Sequence, residues 1–383
     1  MTARSKFRAS PGTREGVRPV LPPVLFTPGP VVLDGATLRD GAEPMIYHRT
    51  PEFSACVRHC EELLKAALGA HGEERIAIIT GSGTAAMEAC VLNLFAAGER
   101  VLVVNGGDFG QRFVEIAALH DLHVTEIKLA PGQSLTASHL APHRRGGFRG
   151  LLINHHETST GTLYDLSLVA SFCRDEALLL IVDAIGSFLA DPLSMSELGL
   201  DALIVSSQKA LALPPGLSFV ALSARAQACV QSVPVRSFYL DLKRYLADAT
   251  RGQTPFTPAV GLVRQLERRL ERLHGGGVAA QIEAVRTRAL DFRRKLSGLP
   301  FDLLTSTPSN AVTPLVPRGV APARYVSALA AQGLFVCPNG GELRDRIFRV
   351  GHLGDLSSED NTRLVDALRA IGQHYGLLGT SEE

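Results

Sequence analysis

Residues 202–220 read ALIVSSQKALALPPGLSFV. The stretch contains two short apolar runs, Ala202–Val205 and Leu217–Val220, joined by a loop that holds one lysine and ends in Pro-Pro-Gly. Short continuous apolar runs without alternation are typical of strands buried on both faces of a sheet. Because no helix fits between the two runs, the second strand is expected to lie antiparallel to the first.

Five similar runs precede this stretch along the chain: Ile76–Ile79, Val101–Val104, Val124–Ile127, Leu151–Ile153 and Leu179–Val182. Segments with helical periodicity lie between many of them, including Thr84–Phe95 and Gln111–His120. Alternating buried strands and helices predict an α/β fold. We therefore expect a large domain with a mostly parallel seven-stranded sheet sandwiched by helices.

The pattern changes near residue 250. Two helical segments broken by Gly275–Gly277 come first, and shorter strands and helices follow: strands at Ala311–Leu315 and Ile347–Val350, helices at Ala321–Gln332 and Ser358–Tyr375. This second part predicts a smaller C-terminal α/β domain. The expected division is a flexible basic arm at 1–23, a large domain at 24–265 and a small domain at 266–383.

Composition excludes several classes of protein. The 383 residues include 39 Lys+Arg and 38 Asp+Glu, so the net charge of +1 does not favour nucleic-acid binding. No apolar run reaches the ~20 residues of a membrane span, and the N-terminus lacks the apolar core of a secretory signal. The six cysteines are scattered, which favours neither a disulfide framework nor a zinc site. We expect a cytoplasmic protein without nucleic-acid or membrane partners.

Lys209 has unusual surroundings for a lysine, because small and apolar residues flank it after a buried strand. A lysine that loses water there becomes a neutral amine nucleophile, which an aldehyde cofactor needs to form a Schiff base. The alternative is a lysine whose stem follows the surface and whose amine reaches solvent.

Two further segments suit a phosphorylated heterocycle. Gly81–Thr84 connects a strand to a helix, and free N–H groups at a helix start attract phosphate; a plain turn capped by Ser82 or Thr84 is the alternative. Asp183 ends the most apolar strand, where a carboxylate needs a cationic partner such as a protonated pyridine nitrogen. Alternatively, Asp183 caps the next turn.

A third segment, Asn154–Gly161 (NHHETSTG), places hydroxyls and imidazoles at the end of another strand, where open α/β sheets bind ligands. Adjacent His155, His156 and Glu157 cannot all face one way, and the spacing of a zinc-binding helix is missing, so no metal site is expected. NAD is also not expected, since the third glycine of the dinucleotide-binding fingerprint is absent.

Taken together, these segments resemble the class V aminotransferases, which are fold-type I pyridoxal-phosphate enzymes. The similarity runs over about residues 24–375 and is greatest to alanine–glyoxylate, serine–glyoxylate, serine–pyruvate and 2-aminoethylphosphonate–pyruvate transaminases. It rests on Thr27–Pro30, Gly81–Thr84, His156–Gly161, Val182–Ala184 and Ser207–Gly216, which occur in the family's order.

The resemblance implies pyridoxal 5'-phosphate as cofactor and a role for each matching residue. Lys209 would attach the cofactor and shuttle a proton, and Asp183 would hold its pyridinium nitrogen. Arg349 would clamp the substrate carboxylate, although a surface strand arginine is an alternative, and Gly29 would lie at the substrate. The other implied cofactor contacts are Ser82, Gly83, Thr84 and Gln208 at the phosphate, Phe109 on the ring face, Thr158 at the ring hydroxyl, and Thr254 reaching the phosphate from the second subunit of a homodimer.

The implied function is transfer of an amino group from a small donor, of the alanine, serine or 2-aminoethylphosphonate type, to glyoxylate or pyruvate by a ping-pong mechanism. Two alternatives stay open. One is a lyase or desulfurase that uses Cys337, although Pro338 and the apolar flanks of this residue favour a packing role; the other is a non-catalytic scaffold. His48 and Arg49 either bind an acidic group of the donor or belong to a loop or a subunit contact.

Overall fold

The computed structural model describes residues 23–378. The predicted flexible arm therefore lies, but for its last residue, outside the described part of the chain. The helices are α1 Gly35–Asp40, α2 Pro51–Ala67, α3 Gly83–Leu94, α4 Asp108–Leu119, α5 Ala137–Leu140, α6 Leu166–Asp175, α7 Met195–Leu198, α8 Ala224–Ser232, α9 Leu242–Ala249, α10 Val260–Gly276, α11 Val278–Lys295, α12 Pro322–Ala330 and α13 Ser358–His374. The strands are β1 Val24–Phe26, β2 Arg75–Thr80, β3 Arg100–Asn105, β4 His123–Lys128, β5 Gly150–Asn154, β6 His156–Glu157, β7 Thr162–Leu163, β8 Leu179–Asp183, β9 Ala202–Ser206, β10 Leu217–Leu222, β11 Phe301–Leu303, β12 Val312–Pro317, β13 Leu334–Pro338 and β14 Phe348–Gly351.

The large sheet has seven strands in the order β2-β10-β9-β8-β5-β3-β4. Only β10 runs against its neighbours, and it pairs with β9 through partners such as Ser218 and Ser206. Both the mostly parallel seven-stranded sheet and its antiparallel strand are confirmed. Every residue of β5, β8, β9 and β10 is buried, which explains why these strands read as continuous apolar runs.

Helices cover both faces of this sheet. Side chains of α3 and α4, such as Met87 and Phe113, pack on one face. Side chains of α2 and α10, such as Phe53, Leu64 and Leu266, pack on the other face. The two apolar layers bury the central strands and so fix the positions of the loops at their carboxyl ends.

A second sheet has five strands in the order β1-β13-β14-β12-β11. Strand β1 runs parallel to β13, and Val24 pairs with Leu334. The core of this sheet holds Phe26, Tyr325 and Phe348. The division of the chain into domains stays a prediction; its boundary after residue 265 falls inside α10, and β1 pairs with strands from the far end of the chain.

The arrangement brings several loops to one edge of the large sheet. Strands β5, β8 and β9 run in parallel and end at Asn154, Asp183 and Ser206. The ends of these strands and the loops after them carry Thr158, Asp183, Gln208 and Lys209, and the turn between β2 and α3, with the first residues of α3, carries Ser82 to Thr84. Ligand sites of open α/β sheets lie at this edge. Among residues 23–378, no helix has the length and apolar character needed to cross a bilayer.

Candidate active site

Lys209 lies in a loop after β9 that is fastened by hydrogen bonds. The Ser207 hydroxyl donates to the carbonyl of Pro214 (2.8 Å), and the N–H of Leu213 donates to the carbonyl of Ser207 (3.1 Å). Burial, with a contribution from the charge of Arg349, lowers the pKa of Lys209 to about 8. Lys209 is half-buried, and its amine has the lowered pKa that suits a cofactor-binding amine.

Gly29 lies directly against this lysine. A Cβ atom at Gly29 would stand 2.8 Å from Cδ of Lys209 and 2.7 Å from the carbonyl oxygen of Gln208. Its φ of +144° also lies in the region that favours glycine. The predicted substrate residue thus borders the reactive amine.

Asp183 is the last residue of β8, and only 4% of its side chain is exposed. Its Oδ1 accepts the N–H of Ile185 at 2.8 Å. Burial raises the pKa of Asp183 to about 7, whereas the charges of Lys209 and Arg112 act to lower it. Among the described residues, no cation lies within ion-pair distance of this carboxylate, so it fits the protonated ring nitrogen of a pyridine cofactor.

The start of α3 offers room and donors for a phosphate. Ser82 is the N-cap residue and makes no capping hydrogen bond with its side chain, so the first turn of the 12-residue helix keeps free N–H groups. Gly83 leaves a space beside Ile185 that a Cβ would fill. The hydroxyl of Thr84 accepts a hydrogen bond from Arg112 at 3.2 Å.

Two buried polar atoms at the end of β9 and in the loop after it lack hydrogen-bond partners among residues 23–378: Oγ of Ser206 and Oε1 of Gln208. Ser206 stands close to the turn, since its Oγ would be 3.6 Å from a Cβ at Gly83. Buried polar atoms are seldom left unpaired in a finished structure. The unpaired hydroxyl of Ser206 beside a free helix start fits a phosphorylated group at this place, and Ser206 is a residue that the sequence prediction missed.

Phe109 is positioned by a buried carboxylate. Glu157 is fully buried and accepts the N–H groups of Phe109 (3.4 Å) and Gly110 (3.0 Å) at the start of α4. Burial raises the pKa of Glu157, while hydrogen bonds from Ser159 and Gly110 oppose the rise. On the helix itself, the guanidinium of Arg112 lies 4.8 Å from the centre of the Phe109 ring. These contacts fix the aromatic ring beside the α3 turn.

The sequence prediction considered Glu157 only as a metal ligand and missed this role. The available signal was the free N–H groups that a helix beginning at Asp108 must present, which attract a carboxylate. Neighbouring His155 and His156 are buried, and burial lowers the pKa of each, to about 4 and about 3. Both imidazoles are therefore neutral at pH 7.

Arg349 reaches this site from β14 of the second sheet. Its Nη1 donates to the carbonyl of Thr158 (3.0 Å), and its Nη2 donates to the carbonyl of Pro338 (2.9 Å) and to Sγ of Cys337 (3.1 Å). Only 8% of Arg349 is exposed, so it is not the surface strand arginine that the sequence also allowed. Within residues 23–378 no carboxylate lies within ion-pair distance of it, which leaves a buried positive charge for a substrate anion.

Thr254 lies in a separate loop. It is buried, and its hydroxyl donates to the carbonyl of Phe256 at 2.7 Å. Arg49 holds this loop through Oε1 of Gln253 (2.8 Å) and the carbonyl of Thr254 (3.0 Å). In the described part of the chain, no hydrogen bond joins Thr254 to the Lys209 group. Its place at a neighbouring subunit's site stays a prediction.

The sequence profile of the family described as aminotransferase class-V matches residues 38–338. A protein named "Soluble hydrogenase, small subunit" from Synechococcus sp. (strain PCC 6716) is 33% identical, over 92% of this chain and 94% of its own length. The crystal structure of an aspartate aminotransferase of subgroup IV from Thermus thermophilus is 33% identical with a TM-score of 0.85, covering 92% of this chain and 99% of that one. That of an alanine–glyoxylate aminotransferase from Nostoc sp. is 25% identical with a TM-score of 0.86, covering 95% and 100%.

The two structural similarities cover more than nine tenths of the chain, and Lys209 and the buried Asp183 fit the cofactor of such enzymes. The chain belongs to the class V aminotransferase family and is a pyridoxal-phosphate-dependent transaminase of fold type I.

Proposed function

We propose that this enzyme transfers an amino group from a small donor, of the alanine, serine or 2-aminoethylphosphonate type, to glyoxylate or pyruvate in a ping-pong cycle. The observation that carries the proposal is the buried guanidinium of Arg349, which forms no ion pair with a carboxylate in the described part of the chain. A planar guanidinium binds the carboxylate of an amino acid or a 2-oxo acid through two parallel hydrogen bonds. The name of the Nostoc relative, which pairs alanine with glyoxylate, supports the choice of substrates.

When bound, pyridoxal phosphate supplies an electron sink that stabilises negative charge on the α-carbon of the substrate. Asp183 would hold the ring nitrogen in its protonated form, which its buried and unpaired carboxylate suits. Lys209 would hold the cofactor covalently and, once displaced by the substrate amine, carry a proton from the α-carbon. An amine whose pKa is lowered to about 8 can both accept and give up a proton near neutral pH.

The remaining cofactor contacts follow from the places of the predicted residues. Ser82, Gly83 and Thr84 at the start of α3 would bind the phosphate together with Gln208, and the unpaired hydroxyl of Ser206 is an added candidate. Two further contacts complete this set: the ring of Phe109 would stack on the heterocycle, and the hydroxyl of Thr158 would meet its ring oxygen. Gly29 would leave space for the substrate beside Lys209.

A homodimer would complete the site. We propose that Thr254 binds the phosphate held by the other subunit, as the resemblance implies. The loop of Thr254 is flanked by large exposed apolar side chains: Tyr47 is 65% exposed and lies next to His48, which contacts Thr257, and the 68% exposed Phe238 packs on Phe256. Exposed apolar side chains grouped in this way mark surfaces that associate, and a second copy of this chain is the partner that the resemblance implies. A cytoplasmic location is also proposed, since all six thiols are free.

A lyase or desulfurase reaction is less well supported. A desulfurase thiol must travel to the substrate sulfur, whereas Cys337 lies within β13 and its Sγ is bound to Arg349. The thiol is near the site but is held by the sheet, so it lacks the freedom that this chemistry needs.

The test is a screen of donors against acceptors with the purified holoenzyme, in which formation of each 2-oxo acid is followed. Alanine or serine with glyoxylate or pyruvate should give product, with the parallel double-reciprocal plots of a ping-pong reaction. The Lys209→Ala variant is the control and should give none. Release of sulfide or ammonia without amino transfer would instead indicate a lyase, and cofactor binding without any turnover would indicate a scaffold.

A further inference from the structure

Cys337 contacts the proposed carboxylate-binding arginine but has no part in the proposed chemistry. The two residues face each other in the register of β13 and β14. Nη2 of Arg349 donates to Sγ of Cys337 at 3.1 Å. Of the six cysteines, all within the described residues, only Cys337 is not fully buried. Cys337 is therefore only partly enclosed, and its thiol contacts Arg349.

Both N–H groups of Nη2 on Arg349 already have acceptors. A guanidinium has five N–H groups, and three of those of Arg349 are bound to Thr158, Pro338 and Cys337. Its Nε has no partner within residues 23–378. A carboxylate binds a guanidinium through adjacent donors, either Nε with Nη2 or Nη1 with Nη2. Both pairs include Nη2. A carboxylate that binds in either way must therefore displace one of the two acceptors that Nη2 now has, Sγ of Cys337 or the carbonyl of Pro338.

Of these two acceptors, the thiol is displaced at the lower cost in free energy. Sulfur of a thiol is a weak acceptor, whereas a backbone carbonyl is a strong one. The carbonyl of Pro338 is also fixed by its strand, while Sγ of Cys337 can turn about one bond. Removing the thiol would leave the guanidinium held by two carbonyls, so its orientation does not depend on Cys337.

We propose that Cys337 is a specificity-determining residue: it occupies Nη2 of Arg349 in the empty site and releases this donor to the carboxylate of an amino-acid or 2-oxo-acid substrate. The inference rests on the proposed function of Arg349 and deepens it. The strength of the acceptor at position 337 then sets the affinity for carboxylates. Alanine removes the competing acceptor, serine offers a stronger one, and aspartate forms an ion pair with Arg349.

The experiment uses the holoenzyme and two matched probes, 2-aminoisobutyrate and isopropylamine, which differ only by the carboxylate. 2-Aminoisobutyrate lacks an α-hydrogen and so cannot be transaminated by loss of an α-proton. Isopropylamine carries a hydrogen on the corresponding carbon, so its absorbance change is read on mixing, without an acceptor and before any half-reaction proceeds. Titration of the absorbance of bound cofactor gives a dissociation constant for each. The ratio of the constant for isopropylamine to that for 2-aminoisobutyrate measures the contribution of the carboxylate. Cys337→Ala should raise this ratio about threefold, Cys337→Ser should lower it, and Cys337→Asp should lower it by about tenfold.

Cys229→Ala is the matched control, since Sγ of Cys229 also accepts a hydrogen bond from an arginine, Arg149, at 3.3 Å, outside the site. It should leave the ratio unchanged. A merely structural role of Cys337 would change both constants together and leave the ratio constant, which would overturn the inference. A lower ratio in Cys337→Ala would overturn it as well, because the thiol would then be an anchor. If the wild type bound both probes equally, the proposed role of Arg349 would fail too.

Discussion

Two ionisable groups of the site, Asp183 and Lys209, are shifted by burial toward their neutral forms. The pKa of the carboxyl is raised to about 7, and that of the amine is lowered to about 8. Burying a charged group costs free energy, and an opposite charge that enters the site offsets this cost. The protein without cofactor therefore holds a destabilised carboxylate, which the ring nitrogen of the cofactor would stabilise.

Replacing Asp183 by Asn should lower kcat at least about 100-fold, because the ring nitrogen loses the charge that keeps it protonated. Without cofactor, the same variant should be more stable than the wild type above pH 7. Because the pKa of Asp183 is raised, the folded protein holds this proton more tightly than the unfolded chain does. The protonated carboxyl therefore contributes to the free energy of unfolding at low pH, and this contribution is lost as the pH rises through about 7. Kinetics of the half-reaction and thermal unfolding measure the two effects.

Asp191→Asn is the control for this prediction, because Asp191 is also buried and its pKa is also raised by burial. Its carboxylate binds Ser309 and Asn310, away from Lys209. It should change unfolding but leave kcat within about twofold of the wild type. Equal losses of kcat in both variants would contradict the role of Asp183.

The lowered pKa of Lys209 predicts how cofactor attachment depends on pH. Only the neutral amine reacts, so the rate with apoprotein should rise about tenfold per pH unit up to about pH 8 and then level off. Arg349→Gln should move the curve to higher pH, since the charge of Arg349 contributes to the lowered value. The rate is measured from the cofactor absorbance between pH 6 and 10. A rate that keeps rising beyond pH 10 would indicate an ordinary exposed lysine.

At the level of elements, the start of α4 depends on a residue of the short strand β6, which follows β5. Glu157 accepts backbone N–H groups of Phe109 and Gly110, so β6 fixes where the helix begins. Glu157→Gln should destabilise the protein by about 2–4 kcal/mol, because one acceptor oxygen is replaced by an NH₂ group that faces buried donors. It should also weaken cofactor binding, since Phe109 loses its fixed position.

Urea unfolding and titration of cofactor absorbance check this prediction. Glu115→Gln is the matched control: Glu115 lies in the same helix, is exposed and accepts a hydrogen bond from Gln111. It should leave both quantities close to the wild-type values. Weakened cofactor binding in both variants would show that the effect is not specific to the helix start.

The elements that the sequence predicted are those whose pattern is local. Most runs of the large sheet are continuous and apolar because both their faces are covered, whereas β4 lies at the edge of the sheet and is largely exposed. The Pro-Pro-Gly loop before β10 leaves no room for a crossover. Strand β1 was not predicted, since three residues carry no period and its partner strand, β13, begins at Leu334. The hairpin of β6 and β7 is too short to be recognised for the same reason.

In the site, too, only features with a local pattern could be predicted from the sequence. Lys209, Asp183 and the turn at Gly83 could be found because each stands out against its own flanking residues. The contact of Glu157 with α4 and that of Cys337 with Arg349 depend on how distant strands and helices meet. No spacing of residues in the sequence indicates such contacts between distant elements. The buried state of Arg349 likewise comes from packing of the second sheet against the loop at Thr158.

At the level of the whole molecule, the proposed dimer predicts complementation between two defective subunits. Lys209→Ala and Thr254→Val should each be inactive at limiting cofactor when alone. If Thr254 acts on the neighbouring site, a mixed dimer has one site with both defects and one with neither. Random mixing should then restore about a quarter of the sites. Activity after unfolding and refolding the mixture measures this, and absence of recovery from dimers that do mix would place Thr254 in its own subunit's site.

The most direct test is reduction of the holoenzyme with borohydride, followed by digestion and mass spectrometry of the peptides. The reduced cofactor should be found on Lys209, and the Lys209→Ala protein should carry none. The five other lysines, at positions 6, 65, 128, 243 and 295, should be unlabelled. A stable label on any of these five, or no label on a protein saturated with pyridoxal phosphate, would contradict the account.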